Sequence, residues 1–209
     1  MTLKRILVGN LVTNCYVLLF SDRAAVIDPG DMTEKILRAC GELPVTDLLL
    51  THGHVDHVGA TAELKDRFDC RIYLHEKDLP YLNDDTLRAP SFPAEPWWRY
   101  DLCATDLFRD GDKIPLGPAD DRVEFTVIHT PGHTPGSSCF YWEEKGILFS
   151  GDTLFKGAEG RTDFPGSDRK EIKKSLFRLS HLPAETAVYP GHGFGTNVGA
   201  ESWIGRNEG

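Results

Sequence analysis

The run Leu48-Leu49-Leu50-Thr51-His52-Gly53-His54-Val55-Asp56-His57 sets three imidazoles and a carboxylate within six residues, directly behind a stretch of aliphatic side chains. A short apolar run closed by polar residues fits a buried strand that delivers its donors at its carboxyl end. The same form recurs three times. Val127-Ile128 leads into His129-Thr130-Pro131-Gly132-His133, Ile147-Leu148-Phe149 into Ser150-Gly151-Asp152, and Ala187-Val188-Tyr189 into Pro190-Gly191-His192. A glycine precedes His54, His133, Asp152 and His192 in turn, as suits a tight turn that presents a side chain into a crowded space. If the four strands share a direction, their loops converge.

What converges is His52, His54, Asp56, His57, His133, Asp152 and His192. Nitrogen and oxygen donors in this mix suit a first-row divalent ion, Zn²⁺ first with Fe or Mn as competitors, and not the all-oxygen cage of calcium. Seven donors exceed what one tetrahedral ion uses. Two ions about 3.5 to 4 Å apart use them all if a carboxylate bridges. The expected division is His52, His54 and His133 on the first ion, Asp56, His57 and His192 on the second, and Asp152 between them. His75, His129 and His181 are isolated in sequence and are expected as packing or surface residues, with His129 at most an outer neighbour of a ligand. Asp28, at the end of its strand, is placed to orient a ligand histidine from outside.

Outward from these signatures, apolar runs at 3–8, 16–20, 24–27, 47–51, 71–74, 122–127, 138–142, 147–149 and 187–189 predict strands. A helix is expected from Asp31, with Glu34 completing a capping box, to Gly41 and Pro44; a second over about 57–68, with Ala60, Leu64 and Phe68 on one face; and a third over 168–182, capped by Asp168 and Glu171. Residues 83–100, with Pro90, Pro93 and Pro96 ahead of Trp97 and Trp98, are expected as a loop. Its 90–98 portion is expected to pack or to meet a subunit, with an apolar wall beside the metals as the alternative. With no repeat and no linker, residues 1–209 are expected as a single domain of mixed α and β character.

His52-Gly53-His54-Val55-Asp56-His57 with His133, Asp152 and His192 resembles the metallo-β-lactamase-fold hydrolases over nearly the whole chain. That resemblance implies an α+β fold, an αββα sandwich of two mixed sheets with helices on the outer faces. Gly151-Asp152-Thr153-Leu154-Phe155, Gly160-Arg161-Thr162-Asp163 and Gly191-His192-Gly193 are similar to the glyoxalase II group, the hydroxyacylglutathione hydrolases. The chain ends at Gly209, soon after His192, so the closer resemblance is to the short stand-alone members without the C-terminal helical glutathione-binding domain; Phe194 stands where those have Pro. The implied reaction is hydrolysis of an acyl thioester, S-D-lactoylglutathione or a relative, by a hydroxide bridging two metal ions. Persulfide dioxygenases with a single iron, here on His52, His133 and Asp152, and lactonases are the alternatives on the same scaffold.

Metal coordination brings the pKa of water to about 7, so no separate base is needed, and Asp56 and Asp152 are the expected catalytic carboxylates that orient the hydroxide. A thiol of pKa about 8.5 leaves without an acid. Arg161 is expected to bind a substrate carboxylate, with Lys156 second.

The 23 basic and 32 acidic side chains give a net charge of −9, which excludes a broad cationic surface for nucleic acid. No apolar stretch is long enough for a bilayer and no signal-peptide pattern opens the chain, so a cytoplasmic protein acting on a small anionic thioester, with no membrane partner, is expected. Cys15, Cys40, Cys70, Cys103 and Cys139 are odd in number and scattered, which predicts free, buried thiols. The sequence leaves the oligomeric state open.

Overall fold

The computed structural model describes residues 1–88 and 103–205. Six strands, β1 (Thr2–Val8), β2 (Thr13–Leu19), β3 (Ala24–Ile27), β4 (Val45–Leu49), β5 (Arg71–His75) and β6 (Asp106–Phe108), lie side by side in chain order. The first three are antiparallel and β3 to β6 run parallel. The second sheet holds β7 (Lys113–Leu116), β8 (Val123–His129), β9 (Ser138–Trp142) and β10 (Ile147–Gly151). A two-stranded ribbon of β11 (Leu154–Phe155) and β12 (Ala158–Glu159) follows, after which β13 (Ala187–Pro190) and β14 (Thr196–Asn197) complete that sheet in the order 14-13-10-9-8-7. Only β10 and β13 pair in parallel there.

Alternation along each strand divides the apolar residues between two destinations. Tyr16, Leu18, Ile27, Leu49, Phe125, Phe140 and Phe149 fill the space between the sheets, where Tyr16 of β2 meets Phe149 of β10 nearly edge-on at 5.0 Å. Val17, Val26 and Leu48 point the other way, under Ile36 of α1 (Thr33–Cys40). On the far side Cys139, Leu148 and Val188 pack under the helix that carries Ile172, Leu176 and Leu179. Both faces of the central strands are therefore covered, which explains their nearly unbroken apolar sequences. The result is the αββα sandwich.

Several local expectations change. Helix α1 begins at Thr33, and Met32 stands at its cap position with φ 58°, because Asp31 spends its carboxylate on the Met32 amide instead of on the helix. The 57–68 helix is two pieces, α2 (Val55–Val58) and α3 (Thr61–Phe68). The Ala60 amide leaves the helical ladder for the Pro29 carbonyl at 2.9 Å, so the Asp28-Pro29-Gly30 turn interrupts it. Residues Glu76–Leu82, for which the sequence gives no element, form a 3₁₀ turn, and within the 83–100 loop Asp85–Arg88 is a short helix, α4; the 90–98 segment lies outside the described residues. Helix α5 (Arg169–Leu179) ends three residues early and keeps half of its capping box: Asp168 accepts from the Lys170 and Glu171 amides, but its own amide donates to the Gly132 carbonyl, and the Glu171 carboxylate takes Lys174 instead. The strands that the sequence did not announce, β6, β7, β11, β12 and β14, have two to four residues each and lie at sheet edges or in the ribbon. Cys103 is exposed, against expectation, while the other four cysteines are buried. Among the described residues no helix is long and apolar enough to cross a membrane.

Candidate metal centre

Strands β8 and β10 each run antiparallel to β9, and β10 runs parallel to β13. The loops that carry His133, Asp152 and His192 therefore leave the second sheet at one edge. The loop after β4 reaches the same edge from the first sheet, and the Ser138 amide donates to the Thr51 carbonyl at 2.9 Å across the join. The donor atoms fall into three overlapping groups, each within 4.8 Å: His52 with His54 and His133, His52 with His57 and Asp152, and Asp56 with His57 and His192. Asp152 touches both sides, with Oδ2 at 3.6 Å from His133 Nε2 and 3.5 Å from His192 Nε2, and Oδ1 at 3.4 Å from His57 Nε2. A side chain on Gly191 would strike Asp152 Oδ1 and the His57 ring, so the residue before His192 must be glycine for the groups to close up.

Four imidazoles are held by their Nδ1 atoms. His57 Nδ1 bonds Asp28 Oδ2 at 2.9 Å, His133 Nδ1 the Arg161 carbonyl at 2.8 Å, and His192 Nδ1 the Leu11 carbonyl at 3.2 Å. Thr51 Oγ1 donates to Asp28 Oδ2, so at 3.1 Å it is left to accept from His52 Nδ1. These contacts fix the proton on Nδ1 and aim Nε2 at the centre. His54 is turned the other way and offers Nδ1, 2.9 Å from His133 Nε2.

Burial pushes the pKa values of His52, His54 and His133 down, and neighbouring imidazoles add to this. These rings are neutral, as metal ligands must be. Burial opposes protonation of His57 too, but Asp56, Asp152 and Asp28 overcome it and hold its pKa well above the ordinary value. His192 is shifted upward against its own burial by Asp56 and Asp152. Burial of Asp56 is likewise outweighed, by His57 and His192, which keep its carboxyl well below the usual range.

Residues 8–192, a span that includes all seven donors, match the sequence profile of the Metallo-beta-lactamase superfamily. The chain belongs to that superfamily. A hydroxyacylglutathione hydrolase of Haemophilus influenzae is 36% identical over 199 residues, covering 90% of this chain and 89% of its own. The solved structure of TTHA1623 in a di-iron-bound form is 39% identical with a TM-score of 0.83, covering 95% of this chain and 96% of the other. The BLEG-1 B3 metallo-beta-lactamase is 35% identical with a TM-score of 0.86 and 96% coverage of both. The sandwich is thus the metallo-beta-lactamase fold, and the five histidines and two aspartates of this superfamily member form groups that could hold metal ions.

The remaining sequence-predicted residues fall around this cluster in different ways. Asp28 contacts His57 as expected. Arg161 contributes its carbonyl to His133, while its guanidinium makes a two-pronged pair with Asp163 at 2.9 and 2.7 Å and lies over the Phe164 ring at 4.2 Å. Lys156 is exposed at the tip of the β11–β12 ribbon. His129 stacks on His75 at 4.1 Å and bonds the Pro135 carbonyl, making no hydrogen bond to the seven donors. His181 is exposed and bonds the Phe177 carbonyl.

Sequence reasoning passed over several supports. Thr13 Oγ1 donates to Asp56 Oδ2 at 2.9 Å. Asn14 and Tyr16 hold the Pro190 carbonyl at 2.8 and 2.7 Å, bracing the loop to His192. The fully buried Asp78 accepts from Gly53, Thr134 and Gly136. An isolated Thr or Asp carries no local signal for such a role.

Proposed function

We propose that the protein is a metal-dependent hydrolase of acyl thioesters, S-D-lactoylglutathione or a related ester of a small thiol, with two divalent ions of which Zn²⁺ is favoured. One observation carries the reading: Asp152 lies between the two histidine groups, within 3.6 Å of His133 and 3.4 Å of His57, so the seven donors form one continuous set. The donors suit cations. His52 Nε2 and Asp152 Oδ1, both aimed into the centre, are buried without a hydrogen-bond partner. Buried polar atoms left this way are unfavourable unless something satisfies them, and a cation between these lone pairs does.

When bound, the ions supply a water that ionises near neutral pH and positive charge facing the substrate carbonyl. Asp56 and Asp152 orient the attacking water through the carboxylate oxygens that point into the centre. The thiolate leaves unaided, since it is only weakly basic, its thiol having a pKa of about 8.5. Arg161 takes a substrate carboxylate by exchanging Asp163 for it, with Lys156 as a second contact. Arg161 and Asp163 are 61% and 65% exposed, and surface pairs of that kind contribute little, so the exchange is cheap.

The Haemophilus influenzae hydroxyacylglutathione hydrolase, matched over nine-tenths of this chain, supports the choice of thioester. The di-iron form of TTHA1623 keeps iron as the competing metal. The test is elemental analysis beside parallel assays of S-D-lactoylglutathione hydrolysis, lactone hydrolysis and persulfide-dependent oxygen uptake. Two ions per chain with thioester turnover is the expected result. Oxygen uptake with one iron, or turnover of lactones alone, overturns it.

A further inference from the structure

We propose that Asp78 is a positioning residue for the three-histidine half of the centre, locking His52, His54 and His133 into one arrangement from behind. The inference rests on the two-ion reading above. Asp78 sits in the 3₁₀ turn after β5 and is 0% exposed. Its Oδ2 accepts from the Gly53 amide at 3.0 Å and from Thr134 Oγ1 at 2.7 Å, and its Oδ1 accepts from the Gly136 amide at 2.6 Å. Gly53 lies between His52 and His54, and Thr134 directly follows His133. One carboxylate thus ties together two ligand loops that belong to different sheets.

The rest of the turn acts in the same sense. Tyr81 packs edge-on against the His54 ring at 5.6 Å, and its hydroxyl donates to the Pro165 carbonyl at 3.0 Å. Ser137 Oγ lies 2.7 Å from Thr134 Oγ1 and accepts from the Thr134 amide, so the Thr134 end of the clamp is itself fixed. Asp78 forms no ion pair among the described residues; only neutral dipoles stabilise it, and burial pushes its carboxyl up to about 6. A buried carboxylate without a cation is an expensive way to join two loops, and its chemistry explains why an apolar or amide side chain would not replace it. Both oxygens face backbone N–H groups. Asparagine puts its NH₂ against either the Gly53 or the Gly136 amide, leaving one buried donor facing another whichever way it turns.

None of these contacts reaches Asp56 or His192, and this selectivity makes the proposal testable. Wild type, Asp78→Asn and Thr134→Val are titrated with Zn²⁺ against a competing chelator, and with Co²⁺ to follow the visible bands of each site. Outer partners of ligating histidines typically contribute 10- to 100-fold in affinity. The expected result is that one ion of two weakens by about that factor in Asp78→Asn and the bands of the three-imidazole environment fade, while the other ion binds as in wild type. Thr134→Val should weaken the same ion less. Equal weakening of both ions, or wild-type affinities for both, overturns the proposal, and if Asp78→Asn does not fold, Thr134→Val alone decides on the same criteria. Fewer than two ions in wild type contradicts the two-ion reading instead; a single ion indifferent to both substitutions then defeats this proposal as well.

Discussion

His52, His54 and His133 are 1%, 5% and 4% exposed, whereas Asp56 and His192 across the centre are 18% and 28% exposed. The buried trio is neutral, its protons driven off by desolvation and by neighbouring rings. The other half is charged, with Asp56, Asp152 and Asp28 holding a proton on His57 in the absence of any other cation. The two halves therefore attract an ion for different reasons: the first through lone pairs set in place by both sheets, the second through net negative charge. Asp56 and His192 are thus more exposed than the trio, so in the proposed reaction substrate and water exchange on the charged side, with the trio as a fixed backstop.

The largest break of this comparison is Asp152→Asn, since Asp152 is the member common to both halves. Both ions should be lost together and thioester turnover should fall by more than about 100-fold; retention of two ions at normal rate, by elemental analysis and assay, contradicts the bridging role. Asp28→Asn acts on His57 directly and on His52 through Thr51, whose amide and hydroxyl donate to Asp28, and should weaken the charged half's ion by about 10- to 100-fold and the trio's ion less in the same titration.

A pH experiment sharpens the contrast further. In the metal-free protein the His57 pKa is raised above its unfolded value, so its contribution to stability is fully present below pH about 6.5 and is lost as pH rises through the folded value. Thermal unfolding of metal-free protein should show that decline, and His57→Gln should reduce it to the part that His192, also shifted upward, contributes. Calorimetry in buffers of different ionisation heat should likewise find that metal binding at pH 7 releases a proton from the His57 half and none from His52 or His54. The smallest effect is that of Arg161→Ala, which should raise KM a few-fold for an acidic thioester and leave kcat unchanged; identical KM removes Arg161 from the substrate's path.

The donors were legible because each stands directly behind an apolar strand, so local sequence announced both the element and its cargo. The mixed α and β character followed from the same strands, whose doubly buried faces leave unbroken aliphatic runs, while the sandwich came from the family resemblance that the donors carry. What stayed hidden is non-local. Asp78 follows Glu76 and Lys77 and looks like surface charge, yet its donors lie 25, 56 and 58 residues away. Thr13 reaches Asp56 across 43 residues. The break between α2 and α3 depends on a carbonyl at Pro29, and helical periodicity cannot register a competitor from another turn. Asp31 failed as a cap because the Met32 amide offered a nearer partner. The pairing of Arg161 with Asp163 is the reverse case, a local contact two residues apart.

The most direct measurement plots thioester turnover against ions bound per chain as Zn²⁺ is returned to chelated protein. The account predicts no hydrolysis without metal and full activity reached as the second ion fills. Undiminished turnover in the chelated protein, or two bound ions with every acyl thioester left intact, contradicts it.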